Sequence, residues 1–244
     1  MTRLLLQSKN LDDIRTVDSS NLSDLRISYS VLCQRLTGSC LDNMPAKKKR
    51  QNCLKAVAVG HGRVGKSSLC NRFINSTFPE VYAHTLHCDI RSTEVEINDE
   101  AYKLFLYDIG GGGERFHTIR PCYYRGADVF LLLFDVSDSR LRFEDIYSYW
   151  WPELRKKCED VPIILVGSKI DLRFSIDTAI TRSEGEAMAE RIEAVKYMEI
   201  SSLRDDGVTE LFHEVQKIGH HFSCTVKNNN IEERKGEKSK CIIA

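Results

Sequence analysis

No stretch of this 244-residue sequence approaches the roughly 18 consecutive apolar residues of a membrane-spanning helix. Near its start the chain has Leu4-Leu5-Leu6 and then turns polar, too short for the apolar stretch of a secretory signal. The nine cysteines contain no C-x-x-C pair, so their spacing points neither to a zinc site nor to a disulfide framework. An excess of one charge is missing as well. With 35 basic residues against 35 acidic ones, nothing global points to nucleic acid, and any electrostatic targeting has to be local. These absences place the expected home of the chain in a reducing, cytosolic compartment. Its length leaves room for one well-cored domain with appendages.

Three regions differ in composition. Residues 1–53 are polar and rich in Ser, Asp and Asn, with thin apolar periodicity at Leu22, Leu25, Ile27, Val31, Leu32 and Leu36. They are expected to be largely disordered, with a short helix allowed from about Ser23 to Leu36. Lys47-Lys48-Lys49-Arg50 closes this extension, most simply as a solvated linker run, with a nuclear address or an anionic-lipid contact as alternatives. From Leu54 to Phe222, apolar runs alternate with amphipathic segments, which argues for an α/β fold with a mostly parallel sheet. Residues 223–244 are polar and charged and read as a flexible tail.

Within 54–222 the spacing predicts strands at Leu54–Val59, Arg91–Ile97 and Tyr102–Tyr107, the last two forming an antiparallel hairpin over Asn98-Asp99-Glu100. Buried parallel strands follow at Asp128–Phe134, Val161–Val166 and Tyr197–Ile200. Helices are expected at Leu69–Asn75 and about Phe143–Lys157, Ser183–Glu193 and Gly207–Phe222. In such a sheet, ligands sit beyond the carboxyl ends of the strands. The informative residues should therefore come just after each apolar run.

They do. After Val59 comes Gly60, His61, Gly62, Arg63, Val64, Gly65, Lys66, Ser67 and Ser68, leading into a helix. Strand, glycine-rich turn, Lys-Ser and helix is the context that makes G-x-x-x-x-G-K-[ST] a phosphate cradle. A chance glycine turn with an exposed lysine would lack both flanks. Backbone N–H groups must wrap the phosphate, and side chains at the glycine positions would block the approach. Lys66 supplies charge for the β- and γ-phosphates, Ser67 a hydroxyl for Mg²⁺, and the helix N-terminus its dipole. After Tyr107 comes Asp108, an acid at a strand end that suits a water-mediated Mg²⁺ contact, and then Ile109 and the glycines Gly110–Gly113. After Val166 comes Gly167-Ser168-Lys169-Ile170-Asp171, and after Ile200 comes Ser201-Ser202-Leu203. Asp171 can accept from N1–H and the exocyclic amine of guanine, which adenine does not offer in that arrangement, while Lys169 lays its stem along the ring.

Taken together, residues 54–222 resemble the Ras superfamily of small GTPases, with five separated motifs in family order. The resemblance implies a P-loop NTPase G domain, a mostly parallel six-stranded sheet flanked by helices. It implies that Phe78 to Thr85 is switch I, with Phe78 against the guanine, Tyr82 among the nucleotide contacts, and Thr85 on Mg²⁺ and the γ-phosphate. Asp108 to Glu114 corresponds to switch II, with Gly111 among the ligand candidates; the extra residue leaves Gly110 to Gly113 all open for the γ-phosphate contact. Ser168, Lys169 and Asp171 match the base-reading motif, and Ser201, Ser202 and Leu203 stand where backbone N–H meets the guanine O6. Lys66, Thr85 and Gly111 are thus the catalytic candidates, and Ser67, Thr85 and (through water) Asp108 the metal candidates. GTP or GDP with Mg²⁺ is the implied ligand set, and effectors, exchange factors and activating proteins the implied partners.

Within the superfamily, Trp150 to Leu154, Val161 to Gly167, Asp171 to Arg173 and Ala194 to Tyr197 resemble the Rho group. Glu114 to Ile119 and Tyr123 to Ala127 resemble the Rab group. The stretch between Arg173 and Ser183 is too short for the extra helix typical of Rho proteins. The chain reads as an atypical Rho-like member, with a Rab-like one as the alternative, and cytoskeletal or trafficking signalling implied.

Three departures bear on mechanism. The family pattern D-T-A-G-Q-E stands here as Asp108-Ile109-Gly110-Gly111-Gly112-Gly113-Glu114, one residue longer and without the glutamine that orients the attacking water. Ser168 replaces the asparagine of the base motif, and His84 the proline before Thr85. Slow intrinsic hydrolysis and a looser grip on nucleotide are the expectations. Gly62 keeps the small position that an incoming arginine finger needs. The leading reading is a switch that hydrolyses GTP to reset; the other is a non-hydrolysing, GTP-loaded binding module. A P-loop kinase is disfavoured, since Asp171 reads guanine and no second substrate-binding region is visible.

Cys241-Ile242-Ile243-Ala244 forms a C-a-a-X box with terminal Ala, which favours farnesyl and implies lipidation at Cys241. One prenyl chain normally needs a second signal, and Arg234, Lys235, Lys238 and Lys240 are offset by Glu232, Glu233 and Glu237. The expected location is the cytoplasmic face of a membrane, the plasma membrane first, with a cytosolic pool.

Overall fold

The computed structural model describes residues 52–79, 81, 83, 85, 88–111 and 119–240, with side chains through 226. The extension expected at 1–53 lies outside the described residues up to position 51, as do Tyr82, His84, Gly112 to Thr118 and Cys241.

Six strands form one sheet in the order β2-β3-β1-β4-β5-β6. They are β1 (Cys53–Val59), β2 (Cys88–Ile97), β3 (Glu100–Ile109), β4 (Val129–Asp135), β5 (Ile163–Ser168) and β6 (Lys196–Ile200). Only β2–β3 is antiparallel. Its turn places Asn98 at φ 54° and Asp99 at φ 63°, the doubly left-handed arrangement whose twist suits a two-residue hairpin and which Asn and Asp tolerate well. On β2, Ser92, Glu94 and Glu96 face solvent while Val95 and Ile97 turn inward, as the alternation predicts.

The helices are α1 (Lys66–Asn75), α2 (Arg140–Asp145), α3 (Trp151–Lys157), α4 (Arg182–Arg191) and α5 (Val208–Lys240). Every residue of β4 and β5 is buried, as expected for central parallel strands covered on both faces. The pleat sends Val129, Leu131 and Leu133 of β4 into a core shared with Leu69 of α1 and Leu211, Phe212 and Val215 of α5. There the rings of Phe73 and Phe212 stack with centroids 3.5 Å apart. The alternate residues meet the other layer, where Phe130 packs edge-on to Tyr124 at 5.3 Å and Phe134 lies 5.0 Å from Phe143.

Several boundaries differ from those read in the sequence. Helix α1 begins at Lys66 rather than Leu69, because the Lys-Ser-Ser of the loop already forms its first turn. Strand β5 begins at Ile163 rather than Val161, since Pro162 has no N–H to give; its carbonyl still accepts from Phe130 N at 2.9 Å. The helix expected over Phe143–Lys157 is α2 and α3 joined by a π-helical turn, Ile146–Trp150. Trp151 N–H reaches back five residues to Ile146 O, and Pro152 directly after it cannot donate to restore the α-pattern. Helix α5 continues to Lys240, beyond the Phe222 expected as its end. Among the described residues no helix is long and apolar enough to cross a membrane, and no disulfide joins any of the six described cysteines.

The carboxyl ends of β1, β3, β4, β5 and β6 come out along one edge of the sheet. They carry Gly60, Gly110, Asp135, Lys169 and Ser201 respectively. That edge is where the fold concentrates its polar chemistry.

Candidate functional site

A cavity of about 930 Å³ lies at that edge, lined by Gly62 to Ser68 apart from Val64, by Phe78, Pro79 and Thr85, and by Asp108, Gly111 and Lys169. The loop from Gly60 to Ser67 forms its floor. Gly60 has φ 135° and no room for a side chain: a Cβ there would sit 2.2 Å from Leu133 O of β4. Gly65 has φ 96° and caps α1, while Val64 is buried and anchors the loop in the core. Above Gly62 a Cβ would meet nothing within 4 Å, which is the room expected there.

Lys66 is 5% exposed, and its ammonium donates to Gly60 O at 2.9 Å and His61 O at 2.7 Å. Burial pushes its pKa down to about 8, with Asp108 pulling the other way. The lysine thus curls over the loop's own carbonyls, and its charge stays at the centre of the cradle. An anionic phosphate is the partner such a buried cation favours.

Three oxygen-bearing side chains converge beside it. Ser67 Oγ donates to Asp108 Oδ2 at 2.5 Å, Thr85 Oγ1 does so at 3.3 Å, and the two hydroxyls lie 2.9 Å apart. Asp108 is 1% exposed, and its other oxygen, Oδ1, is buried with no hydrogen-bond partner among the described residues. Burial raises the carboxyl pKa, against the Ser67 hydrogen bond and the Lys66 charge. A carboxylate with one orphaned oxygen and two hydroxyls in reach is the donor set a hard divalent cation takes, and Mg²⁺ fits it. These three are the residues named as metal candidates from the sequence.

Gly111 lies directly on the loop. A Cβ there would fall 2.3 Å from His61 C and 2.4 Å from both Gly60 O and Gly62 N, so only glycine permits this approach. Gly110 also lines the cavity, and Gly112 and Gly113 lie outside the described residues.

At the far end, Lys169 Nζ pairs with Asp135 Oδ2 at 2.7 Å. Lys169 has φ 60°, a bend that lets β5 end and the short 3₁₀ helix Ile170–Ser175 begin. Asp171 in its first turn accepts from Ser201 Oγ at 2.5 Å, which fixes one carboxylate oxygen. Arg72 of α1 holds the neighbouring loop by donating to Ser202 O at 2.8 Å and Leu203 O at 3.2 Å. Phe78 is 38% exposed at the cavity wall.

Ser168 departs from the expectation that it touches the ligand. It is 2% exposed, and its hydroxyl points at Val64 O (2.6 Å) and Phe134 O (2.8 Å). It therefore ties the phosphate loop to β4. A hydroxyl has one proton for these two acceptors, where an asparagine amide would bring two, so the expected looser grip acts through loop rigidity.

Other functional neighbours were not singled out in the sequence. Asp135 had a signal, since it directly follows an apolar strand run. Arg72 had none: its partners lie about 130 residues away. His61 also turned out differently from a plain loop residue. Its Nε2 lies 3.0 Å from Asp145 Oδ2, and its ring stacks on Tyr149 and meets Trp150 edge-on at 5.5 Å. Burial lowers its pKa against the pull of Asp145.

Tyr149 and Trp150 in turn flank a buried ion pair. Arg120 donates to Glu153 through Nε at 2.8 Å and Nη2 at 2.5 Å, Tyr124 OH donates to the same carboxylate at 2.5 Å, and Arg120 bonds Tyr149 OH at 2.7 Å. The segments that resemble Rab and Rho proteins thus meet in one network beneath the loop.

Comparison with known proteins agrees with this geometry. Residues 55–219 match the model of the Ras family. The chain is 35% identical over 162 residues to the Ras-like GTP-binding protein RhoL of Drosophila melanogaster, covering 66% of this chain and 84% of that relative.

Proposed function

The chain belongs to the Ras family of small GTPases, and from that premise we propose a Rho-like signalling switch, held at a membrane and slow to turn itself off. The observation that carries the reading is the convergence of Ser67, Thr85 and Asp108 beside Lys66, with Asp108 Oδ1 left unpartnered. Mg²⁺, when bound, neutralises charge on the β- and γ-phosphates, and Ser67, Thr85 and Asp108 would hold it.

The protein's own part is binding and orientation. The amides of Gly60–Ser67 and the Lys66 ammonium hold the phosphates, Asp171 reads guanine, and Thr85 and Gly111 bring switch I and switch II against the terminal phosphate. In hydrolysis, water attacks the γ-phosphorus, the bond to the β-bridging oxygen breaks, and GDP leaves. That step depends on positioning, and the segment Asp108 to Glu114 contains no glutamine to orient the water. Effectors would read the switch segments in the GTP state and lose them after hydrolysis.

Single-turnover hydrolysis of preloaded GTP without any partner is expected to run below roughly 10⁻⁴ s⁻¹. A rate at or above that value removes the slow-clock part of the reading. The nucleotide in freshly purified protein adds a second check. GDP marks an ordinary cycling switch, GTP marks a long-lived on state set by abundance and recruitment, and an empty site marks a scaffold that has lost the activity.

Membrane attachment rests on Cys241, which lies outside the described residues. Replacing it (Cys241→Ser) should move the protein from the membrane fraction to the soluble one, because a single prenyl chain already gives only reversible binding. An unchanged membrane fraction would overturn the lipid-anchor reading.

A further inference from the structure

His61 joins the phosphate loop to a different part of the fold. Its backbone carbonyl is one of the two that hold the Lys66 ammonium, at 2.7 Å. The same peptide is where Gly111 makes its close approach. The side chain leaves the loop. Its Nε2 lies 3.0 Å from Asp145 Oδ2 at the end of α2, and its ring sits against Tyr149 and Trp150 of the π-helical turn. The loop, the glycine run and the turn thus meet at one residue.

The turn builds the receptor for that ring. Hydrogen-bonded five residues apart, it carries both Tyr149 and Trp150 round to the side of Asp145, and such turns recur at functional sites. The Tyr149 ring lies nearly parallel to the imidazole and the Trp150 ring nearly perpendicular. Behind them Arg120 donates to Tyr149 OH at 2.7 Å, lies 4.2 Å from the Trp150 ring and is itself bound to Glu153. The imidazole is therefore moored to a rigid, buried network rather than to a loose surface helix.

We propose that His61 is a positioning residue for Lys66: its side chain, moored on Asp145, Tyr149 and Trp150, fixes the carbonyl that aims the ammonium and so slows release of the bound guanine nucleotide. This rests on the reading of the cavity as a guanine-nucleotide site. The mooring also brings a pH dependence. Burial lowers the His61 pKa and the Asp145 carboxylate opposes it, while Arg142 of α2 and Lys66 add to the lowering. Tyr149, and Arg120 and Glu153 behind the rings, stand on the same side. Folding favours the neutral imidazole, with Nε2–H donating to Asp145. Its contribution is complete above the ordinary histidine value of about 6.5 and is lost as pH falls through the lower folded value.

The test measures release of a fluorescent GDP analogue from full-length protein in excess unlabelled GDP. At about pH 7.5, one unit above the ordinary histidine value, His61→Ala and Asp145→Ala should each release it roughly tenfold faster than wild type, the size of one lost hydrogen bond to a charged group. The double variant should release no faster than either single one, because the two side chains act as a unit. Asp145→Asn keeps an acceptor for Nε2–H and should stay within about threefold of wild type. Wild-type release should quicken as pH falls toward about 5.5, and His61→Ala should lack that step. Equal release rates for wild type and His61→Ala overturn the proposal, as do additive effects in the double variant or a pH profile that His61→Ala reproduces. A wild-type protein that retains no guanine nucleotide at all would instead bring down the site reading beneath it.

Discussion

Asp171→Ala is expected to weaken binding of GTP and GDP by roughly two to four orders of magnitude while leaving the fold intact. In the proposed reading its carboxylate would take two donors from one edge of guanine, and each hydrogen bond to a charged group is worth about 1.5–3 kcal/mol. Two of them give about 3–6 kcal/mol, and every 1.4 kcal/mol is tenfold. The carboxylate is already oriented, because Ser201 Oγ donates to Oδ1 at 2.5 Å and Ser201 is fully buried. Little ordering cost is left to be met on binding. Asp171 itself is half-exposed in the first turn of a 3₁₀ segment, so its truncation leaves no hole in the core. Titration with GDP and ADP, followed by a melting curve, checks both halves. A GDP affinity within threefold of wild type would mean that guanine is read elsewhere.

Glu153→Gln should produce the largest loss of stability of any single polar substitution considered. Glu153 accepts from Arg120 through two nitrogens and from Tyr124 OH, while Arg120 is 2% exposed. Although burial opposes it, the hydrogen bonds to Glu153 and Tyr149 and the nearby charge hold the Arg120 guanidinium strongly in its charged form, with a pKa above its ordinary value; the guanidinium also lies 4.2 Å from the Trp150 ring. Removing the negative partner strands a buried cation, which typically costs about 3–5 kcal/mol. For a domain of this size that corresponds to a melting shift of roughly 6–20 °C, at about 2–4 °C per kcal/mol. Because His61 leans on Tyr149 and Trp150, the phosphate loop should loosen too, and nucleotide should protect the variant less than the wild type. A melting temperature within 2 °C of wild type would show that the ion pair contributes nothing to the fold.

Helix α1, the strand before it and the glycine loop between them could be read because their chemistry is local. A loop that must bend backwards at Gly60 and Gly65 announces itself by the residues that can bend so. Buried parallel strands announce themselves as unbroken apolar runs, and β4 and β5 are buried throughout. The π-helical turn was not legible, because Ile146–Trp150 keeps a helical apolar pattern and the only hint is Pro152. Ser168 was misjudged for a related reason. Its place in a base-reading motif says nothing of which way a short hydroxyl turns, and here it turns to two carbonyls of the fold.

From the residues alone came the α/β class, the six-stranded sheet, the phosphate-loop motif, the proposal that Asp171 reads guanine and the missing glutamine of switch II. Each of these depends on spacing within a few residues or on one side chain's chemistry. Tertiary structure decided how the pieces hold one another. It set Thr85 beside Ser67 across 18 residues, Arg72 on the carbonyls of Ser202 and Leu203, His61 on Asp145 across 84, and Tyr124 on Glu153 across 29. Hydrogen bonds and ion pairs between distant segments depend on sub-ångström placement set by packing of the whole core. A linear pattern carries no record of that placement.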